Sequence, residues 1–228
     1  MNTIERSISP ETLLGRDLND VEMKHAPRML YISGTLEAPI SSPRIAIVGT
    51  RAPSSEGKRI AFDLASNLSE KDVIIVSGLA RGIDTEAHKG ALYKNGKTMA
   101  VLGTPLSICY PAENRHLQAE IANKGLLVTQ FPSNQPVQRK NFVIRNRTMA
   151  LICDASIIIE AGDSSGTLSQ GWEVLRLGRP LFIWKSVFKN KQLKWPEELL
   201  NYGAMEVDDI PSILEQIPYG KPSGVPIW

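Results

Sequence analysis

From residue 44 onward, short apolar runs alternate with stretches of helical spacing. The apolar runs fall at 44–48, 73–76, 98–102, 126–129, 155–160 and 180–184. Runs of four to six such residues, bounded by turn-forming residues, read as buried strands. Between the first two, Ile60, Leu64, Ala65 and Leu68 recur on one face of a predicted helix over 56–68. Further helices are predicted from Asp84 to about Tyr93, over 113–123, from Asn141, and over 168–177. Asp84 is read as the cap of its helix. The pattern closes with helical 196–201, a strand at 204–207 and helical 210–217. Strands alternating with helices predict a parallel sheet covered on both faces. The expected fold class is α/β: a Rossmann-like doubly wound, mostly parallel sheet in three αβα layers.

The flanks differ. Residues 1–43 read as a polar N-terminal extension with one short strand at 29–32, closed by Ser33-Gly34. Ser9-Pro10 can start a short helix, with serine capping and proline in the first turn. The Rossmann-like domain is assigned to 44–217, and 218–228 is a Pro/Gly-rich tail ending in Trp228.

Composition adds little: 42% hydrophobic and 22% charged residues are ordinary for a globular chain. No apolar run approaches the ~20 residues of a membrane helix. The first 25 residues carry acids and lack an apolar core, unlike a signal or transit peptide. A cytoplasmic location without membrane association is the expectation. Cys109 and Cys153 have no CxxC spacing, so neither zinc nor a disulfide framework is predicted. A net charge of +2 does not by itself mark a nucleic-acid binder. Local clusters say more. Arg139, Lys140, Arg145 and Arg147 crowd residues 138–147 without an acid, and four lysines do the same over 185–194. Either run alone reads first as a solvated face.

In a doubly wound sheet, ligands bind beyond the carboxyl ends of the strands. Four punctuated loops are predicted there: 49–55, 77–83, 103–105 and 163–167. The first offers Gly49, Thr50, Arg51 and Ser54 at a helix start. The second offers Gly78 and Arg81, the third Gly103, and the fourth Ser165, Gly166 and Thr167. Amide-lined turns at helix N-termini suit anions. None carries the G-x-G-x-x-G of a dinucleotide fold or the G-K-[ST] of a P-loop, so no cofactor is expected. Arg51 is the leading phosphate ligand, because its planar fork matches phosphate oxygens. The densest stretch is 142–168, where a basic helix, a strand with three consecutive isoleucines and the Ser165 turn follow one another. Glu160 and Asp163 flank that turn. Asp84 and His88 lie one helical turn apart and can meet, but a capping carboxylate beside a packed histidine is the preferred reading. No catalytic triad, metal spacing or carboxylate cluster is found, and no enzyme activity is predicted.

The motifs resemble one family, the DNA-processing protein A (DprA, or Smf) family. Ser77-Gly-Leu-Ala-Arg-Gly-Ile-Asp-Thr-Glu-Ala-His-Lys-Gly-Ala-Leu92 matches its most characteristic stretch. Thr98-Met-Ala-Val-Leu-Gly-Thr104 and Tyr110-Pro-Ala-Glu-Asn114 match the next two. Asn141-Phe142 with Arg145-Asn-Arg147 resembles its N-F-P-x-R-N-R segment, with Val143 in place of proline. Ser165-Gly-Thr-Leu168, Gly203-Ala204 and Asp209-Ile210 complete the likeness, which runs from about residue 27 to 217. The resemblance implies a homodimer that binds and protects single-stranded DNA and hands it to a RecA-type recombinase during natural transformation or recombination. Its strand-binding pocket would use Gly49, Arg51, Gly78, Lys140, Asn141, Arg145 and Arg147, with Ser165-Gly166 cradling a phosphate. Longer members carry an N-terminal helical domain and a C-terminal winged helix, so this chain reads as a short form. The rival reading is a nucleotide-sensing member of the same fold group. A nucleoside-monophosphate phosphoribohydrolase fits less well, because Gln170 stands where that enzyme needs a glutamate, and an amide cannot take up a proton as a carboxylate does.

Overall fold

The computed structural model describes residues 5–217; the predicted tail and Trp228 lie outside them. Among the described residues one nine-stranded sheet runs, in spatial order, β1 (Arg6–Ile8), β2 (Leu30–Gly34), β6 (Leu126–Thr129), β5 (Thr98–Val101), β4 (Ile74–Ser77), β3 (Arg44–Gly49), β7 (Ala155–Glu160), β8 (Leu181–Trp184) and β9 (Met205–Val207). Its parallel part comprises β3, β4, β5, β6, β7, β8 and β9. The α/β doubly wound, mostly parallel architecture is as the alternation predicts. At one edge β1 and β2 add antiparallel, β2 pairing with β6. Residues 6–34 are thus built into the same sheet as the Rossmann-like part. The apolar pattern gives β2 but not β1, whose residues are largely exposed.

One face is covered by α3 (Ser55–Ser69), α4 (Ile83–Tyr93) and α9 (Ile210–Glu215), together with α5 (Arg115–Lys124). The α5 helix packs beside α4 over β5 and β6. The other face carries α6 (Arg139–Ile152) and α7 (Thr167–Arg176), with α1 (Pro10–Leu14) and α8 (Trp195–Asn201) beside them. Successive strand residues point to opposite faces. Hence Ile157 and Ile159 join the α3/α4 core while Ile158 joins the α6/α7 core. Both faces are buried, which is why β7 needs isoleucine at three consecutive positions.

The helix starts follow local chemistry. Ser9 caps α1 by accepting from the Thr12 amide at 3.2 Å. Ser54 caps α3 by accepting from the Gly57 amide at 3.0 Å. Asp84 does not cap α4: the cap position is Gly82, and Asp84 lies inside the first turn. The N-terminal segment is locked to the α6 side of the sheet by Glu22 of the short α2 helix (Asp20–Met23). Its carboxylate takes Arg16 at 2.7 Å and Arg179 at 2.6 Å, and also the Asn19 amide at 3.0 Å. Burial pushes this carboxyl up, but those hydrogen bonds outweigh it and hold the pKa at about 2.

Candidate nucleic-acid interface

The chain lays β3, β4, β5 and β6 outward in one direction, then returns to place β7 on the other side of β3. This reversal is the topological switch point, where loops diverge and leave a crevice. A cleft of about 690 Å³ opens there. The loops after β3 and β7 form its two walls, and α6 and the first turn of α7 contribute its other sides. The register shifts between Val48 and Gly49, and the Thr50 amide then donates to the Glu160 carbonyl at 2.7 Å. That bond joins the two walls at their base.

Four anion-ready loops are expected from the sequence; two of them are already filled by the protein's own carboxylates. At the start of α3, Glu160 accepts from the Ser54 amide at 3.2 Å and the Ser54 hydroxyl at 2.8 Å. A carboxylate there complements the helix dipole and takes the place a phosphate would need. Ser54, expected to meet phosphate, is therefore used internally. In the 77–83 loop the buried Asp84 accepts from the Gly78 amide at 3.1 Å and the Ala80 amide at 3.3 Å. Burial raises the pKa of Asp84, against the pull of the Arg145 charge and these amides. Arg81, also expected to meet phosphate, instead pairs with Glu113 on the surface.

His88 does not pair with Asp84. Its Nδ1 lies 2.7 Å from Thr98 Oγ1, and that hydroxyl donates to the Ile75 carbonyl at 2.8 Å. Nδ1 must therefore carry the proton. Burial, then the Arg145 charge, lowers the pKa to about 3, so the ring is neutral.

The turn before α7 is different. The Asn146 amide donates to the Gly166 carbonyl and to Ser169 Oγ, both at 3.1 Å, fixing the turn from outside. Ser165 Oγ accepts from the Thr167 amide at 3.2 Å. Gly166 faces open space, with nothing within 4 Å of where a Cβ would stand. Its own amide has no partner among the described residues. Arg51 and Arg139 line the same cleft, both exposed, and neither pairs with a carboxylate among the described residues. Thr50, Ser165 and Thr167 line it as well.

The other expected ligands divide. Arg145 reaches the cleft but is 6% exposed; it donates to the Val101 carbonyl at 2.7 Å and to Asn146 Oδ1 at 3.1 Å. Burial lowers its pKa, opposed by Asp84. It is a strut joining β5 to the residue that holds the Ser165 turn. Gly78 is there for it: a Cβ at that position would fall inside the Arg145 guanidinium. Arg147 pairs with Glu173 at 2.9 Å. Asn141 is fully buried, its Nδ2 3.4 Å from the Pro136 carbonyl, and lies outside the cleft wall. Lys140 is exposed beside Arg139 but also stands off the wall.

Gly103 makes room for an aromatic ring. A Cβ there would lie 2.6 Å from Phe142 Cδ1. The Phe142 ring packs against Tyr110, with centroids 5.1 Å apart, and Arg51 Cζ lies 5.9 Å from the Phe142 centroid. Tyr110 is half exposed and is not among the site residues that the sequence predicts. An exposed Tyr-Pro beside a loop at the carboxyl end of β5 was the available signal. Gln170 also lines the cleft and is buried, with Nε2 3.4 Å from Ser156 Oγ.

Fold and cleft together define a Rossmann-like domain whose switch-point crevice presents an open amide turn, two arginines that pair with no carboxylate among the described residues, and an aromatic pair. The chain belongs to the DNA recombination-mediator protein A family, whose match covers residues 12–218. It is 40% identical over 162 residues to the DNA processing protein DprA of Streptococcus pneumoniae, spanning 71% of this chain and 56% of that one. Protein Smf of Escherichia coli K12 is 36% identical over 195 residues, 85% of this chain and 52% of that one. The chain thus spans about half the length of the curated relatives it matches. Its fold superposes on the solved S. pneumoniae DprA with a TM-score of 0.80 at 32% identity, covering 93% of this chain and 74% of that one. DNA processing protein A of Helicobacter pylori, whose structure was solved for its single-stranded DNA binding mode, gives a TM-score of 0.78 at 26% identity, covering 94% and 95%. No helix among the described residues is long and apolar enough to cross a membrane.

Proposed function

We propose that the switch-point cleft binds single-stranded DNA. The observation that carries this reading is the meeting, in one cleft, of the unpartnered Gly166 turn, Arg51, Arg139 and the Phe142–Tyr110 pair. A backbone phosphate sits at the turn, held by the Gly166 amide at the N-terminus of α7, with the Arg51 fork on its other oxygens. An adjacent base stacks on the aromatic pair. Stacking of that kind accepts any base and contributes about 1–3 kcal/mol. Duplex DNA keeps its bases paired and cannot offer them. Gly49, Gly78 and Gly103 serve by letting Ile83, Arg145 and Phe142 approach. Arg145, Asn141 and Arg147 hold the frame, and Lys140 adds charge beside the wall. The activity is binding, without catalysis. Delivery of the strand to a RecA-type recombinase and assembly as a homodimer go with the family reading. They are tested by co-precipitation with a recombinase on oligo-dT and by light scattering.

The direct test is fluorescence anisotropy with labelled oligo-dT and with duplex at two salt concentrations. Preference for the single strand is expected, with affinity falling steeply with salt at a slope of about 0.7 per phosphate contacted. Arg51→Ala should lower affinity at least about ten-fold, as loss of a charge-assisted bond requires, and leave the melting temperature unchanged. Equal binding of duplex, or indifference to Arg51→Ala, refutes the reading. A rise in melting temperature with a mononucleotide but none with oligo-dT supports the nucleotide-sensing alternative instead.

A further inference from the structure

The loop between β5 and α5 borders two sites. Tyr110 stands on the cleft, while Ser107 and Cys109 line a separate hollow of about 400 Å³. The loop is braced from within. The Ile108 amide donates to the Pro105 carbonyl at 3.0 Å, Thr104 Oγ1 donates to the Ile108 carbonyl at 2.7 Å, and the Cys109 thiol donates to the Pro111 carbonyl at 3.3 Å. Helix α5 supplies Arg115, Gln118, Ala119 and Ala122 to the hollow, and β6 supplies Leu127. A space of this size is in the range of small-ligand pockets.

The lining carries one formal charge, and it is positive. Arg115 is exposed and pairs with no carboxylate among the described residues. Glu113, two residues before it, is taken up by Arg81. Burial raises the pKa of the Cys109 thiol, against the pull of Arg115, so the thiol stays neutral. Arg115 opens α5, and no acid stands in the first turn of that helix. A cation there opposes the helix dipole, and a bound anion relieves the conflict. Gln118 adds an independent requirement. It is 7% exposed, and its Nε2 donates to the Leu106 carbonyl at 3.0 Å, which orients the amide. Its Oε1 is then a buried acceptor that no donor among the described residues reaches. Such a group calls for a donor from a ligand. The rest of the lining is largely apolar. An anion, a hydrogen-bond donor and a flat apolar body are the parts of one nucleotide.

We propose that this hollow takes a further nucleotide of the strand that crosses the cleft past Tyr110. Its phosphate meets Arg115 and the Ser107 hydroxyl. Its base lies over Ala119, Ala122 and Leu127 and donates an N–H of its base-pairing edge to Gln118 Oε1. Every base carries such a donor, and only an unpaired base leaves it free. The proposal rests on the single-strand reading of the cleft and adds an edge contact that stacking does not need. A free mononucleotide offers the same groups, so the test has an arm for each source.

The test is salt-titrated anisotropy of the full chain with oligo-dT of about twenty nucleotides, long enough to span both sites, and with the same strand built from N3-methylthymidine. Methylation keeps the ring for stacking and removes the edge proton. Expected is a preference of the native chain for the unmethylated strand of about three- to ten-fold, the worth of one neutral hydrogen bond. Gln118→Met should lower oligo-dT affinity by the same factor, bind both strands alike and keep the salt slope. Arg115→Gln should lower affinity at least about five-fold and reduce the slope by about 0.7, one phosphate contact, with the melting temperature unchanged. Thymidine monophosphate should not raise the melting temperature. A native chain indifferent to methylation, or an Arg115→Gln variant with unchanged affinity and slope, overturns the proposal; the cleft reading then stands if Arg51→Ala still weakens binding. A melting temperature raised by thymidine monophosphate in the native chain but not in Arg115→Gln gives the hollow to a free nucleotide and also overturns it. Should Gln118→Met prove unstable, the methylated strand on the native chain decides. Failure of the native chain to bind oligo-dT overturns both readings.

Discussion

Gly78→Ala tests whether the cleft is held in shape by a buried arginine. A methyl group at Gly78 collides with the Arg145 guanidinium, so that group must move. Moving it breaks the 2.7 Å bond from Nη1 to the Val101 carbonyl and the 3.1 Å bond from Nε to Asn146. A hydrogen bond from a charged donor is worth about 1.5–3 kcal/mol. Disturbing a buried charge costs up to about 3–5 kcal/mol. A destabilisation of about 2–4 kcal/mol follows, or a drop in melting temperature of roughly 5–15 °C for a domain of this size. Asn146 also fixes the Ser165 turn, so oligo-dT affinity should fall with it. The decisive assay is a double-mutant cycle by urea unfolding, with Arg145→Met as the second change. Once the guanidinium is gone, Gly78 lies outside the positive-φ region and alanine restricts the unfolded chain. The same Gly78→Ala change should then cost less than about 1 kcal/mol, or stabilise. An equal cost in both backgrounds would mean that Gly78 is demanded by something other than Arg145, and the strut argument would fail.

Other outcomes follow from the same contacts. Phe142→Ala should weaken oligo-dT binding by about 1–3 kcal/mol without changing the salt slope, because stacking neutralises no phosphate; a changed slope in the salt titration would contradict the stacking role. Glu160→Gln removes the charge at the start of α3 and should lower stability by about 1 kcal/mol in urea unfolding, with oligo-dT affinity held or slightly raised. A ten-fold affinity loss would instead place Glu160 in contact with the strand. Glu22 has a folded pKa of about 2, below its ordinary value of 4.5. Its contribution is therefore complete above about pH 4.5 and drains away as pH falls toward 2, on the order of 1–2 kcal/mol after screening by water. In acid unfolding, Glu22→Gln should flatten that part of the stability profile, and an unaltered profile would rule out this linkage.

Much of this protein was written in its local chemistry. The alternation of four-to-six-residue apolar runs with helical spacing dictates a parallel sheet buried on both faces. Three consecutive isoleucines in β7 are explained by nothing less. Ser9 and Ser54 mark helix starts because a side-chain oxygen next to free amides is a strictly local fit. The cleft's general place was also legible, since in a doubly wound sheet the loops at the carboxyl ends of the strands line the crevice. What no single segment could disclose is which charges remain free. Glu160 fills the start of α3 across 106 residues of sequence separation, and Asp84 fills the 77–83 loop from the first turn of α4. Arg145 and Arg147 look alike in the chain, yet packing buries one against Val101 and pairs the other with Glu173. Tyr110 joins Phe142 only because the loops after β5 and β6 end at the same rim. Composition and periodicity fix what each residue prefers; tertiary contacts alone decide whose hydrogen bonds and charges are already spent, because those depend on partners distant in sequence.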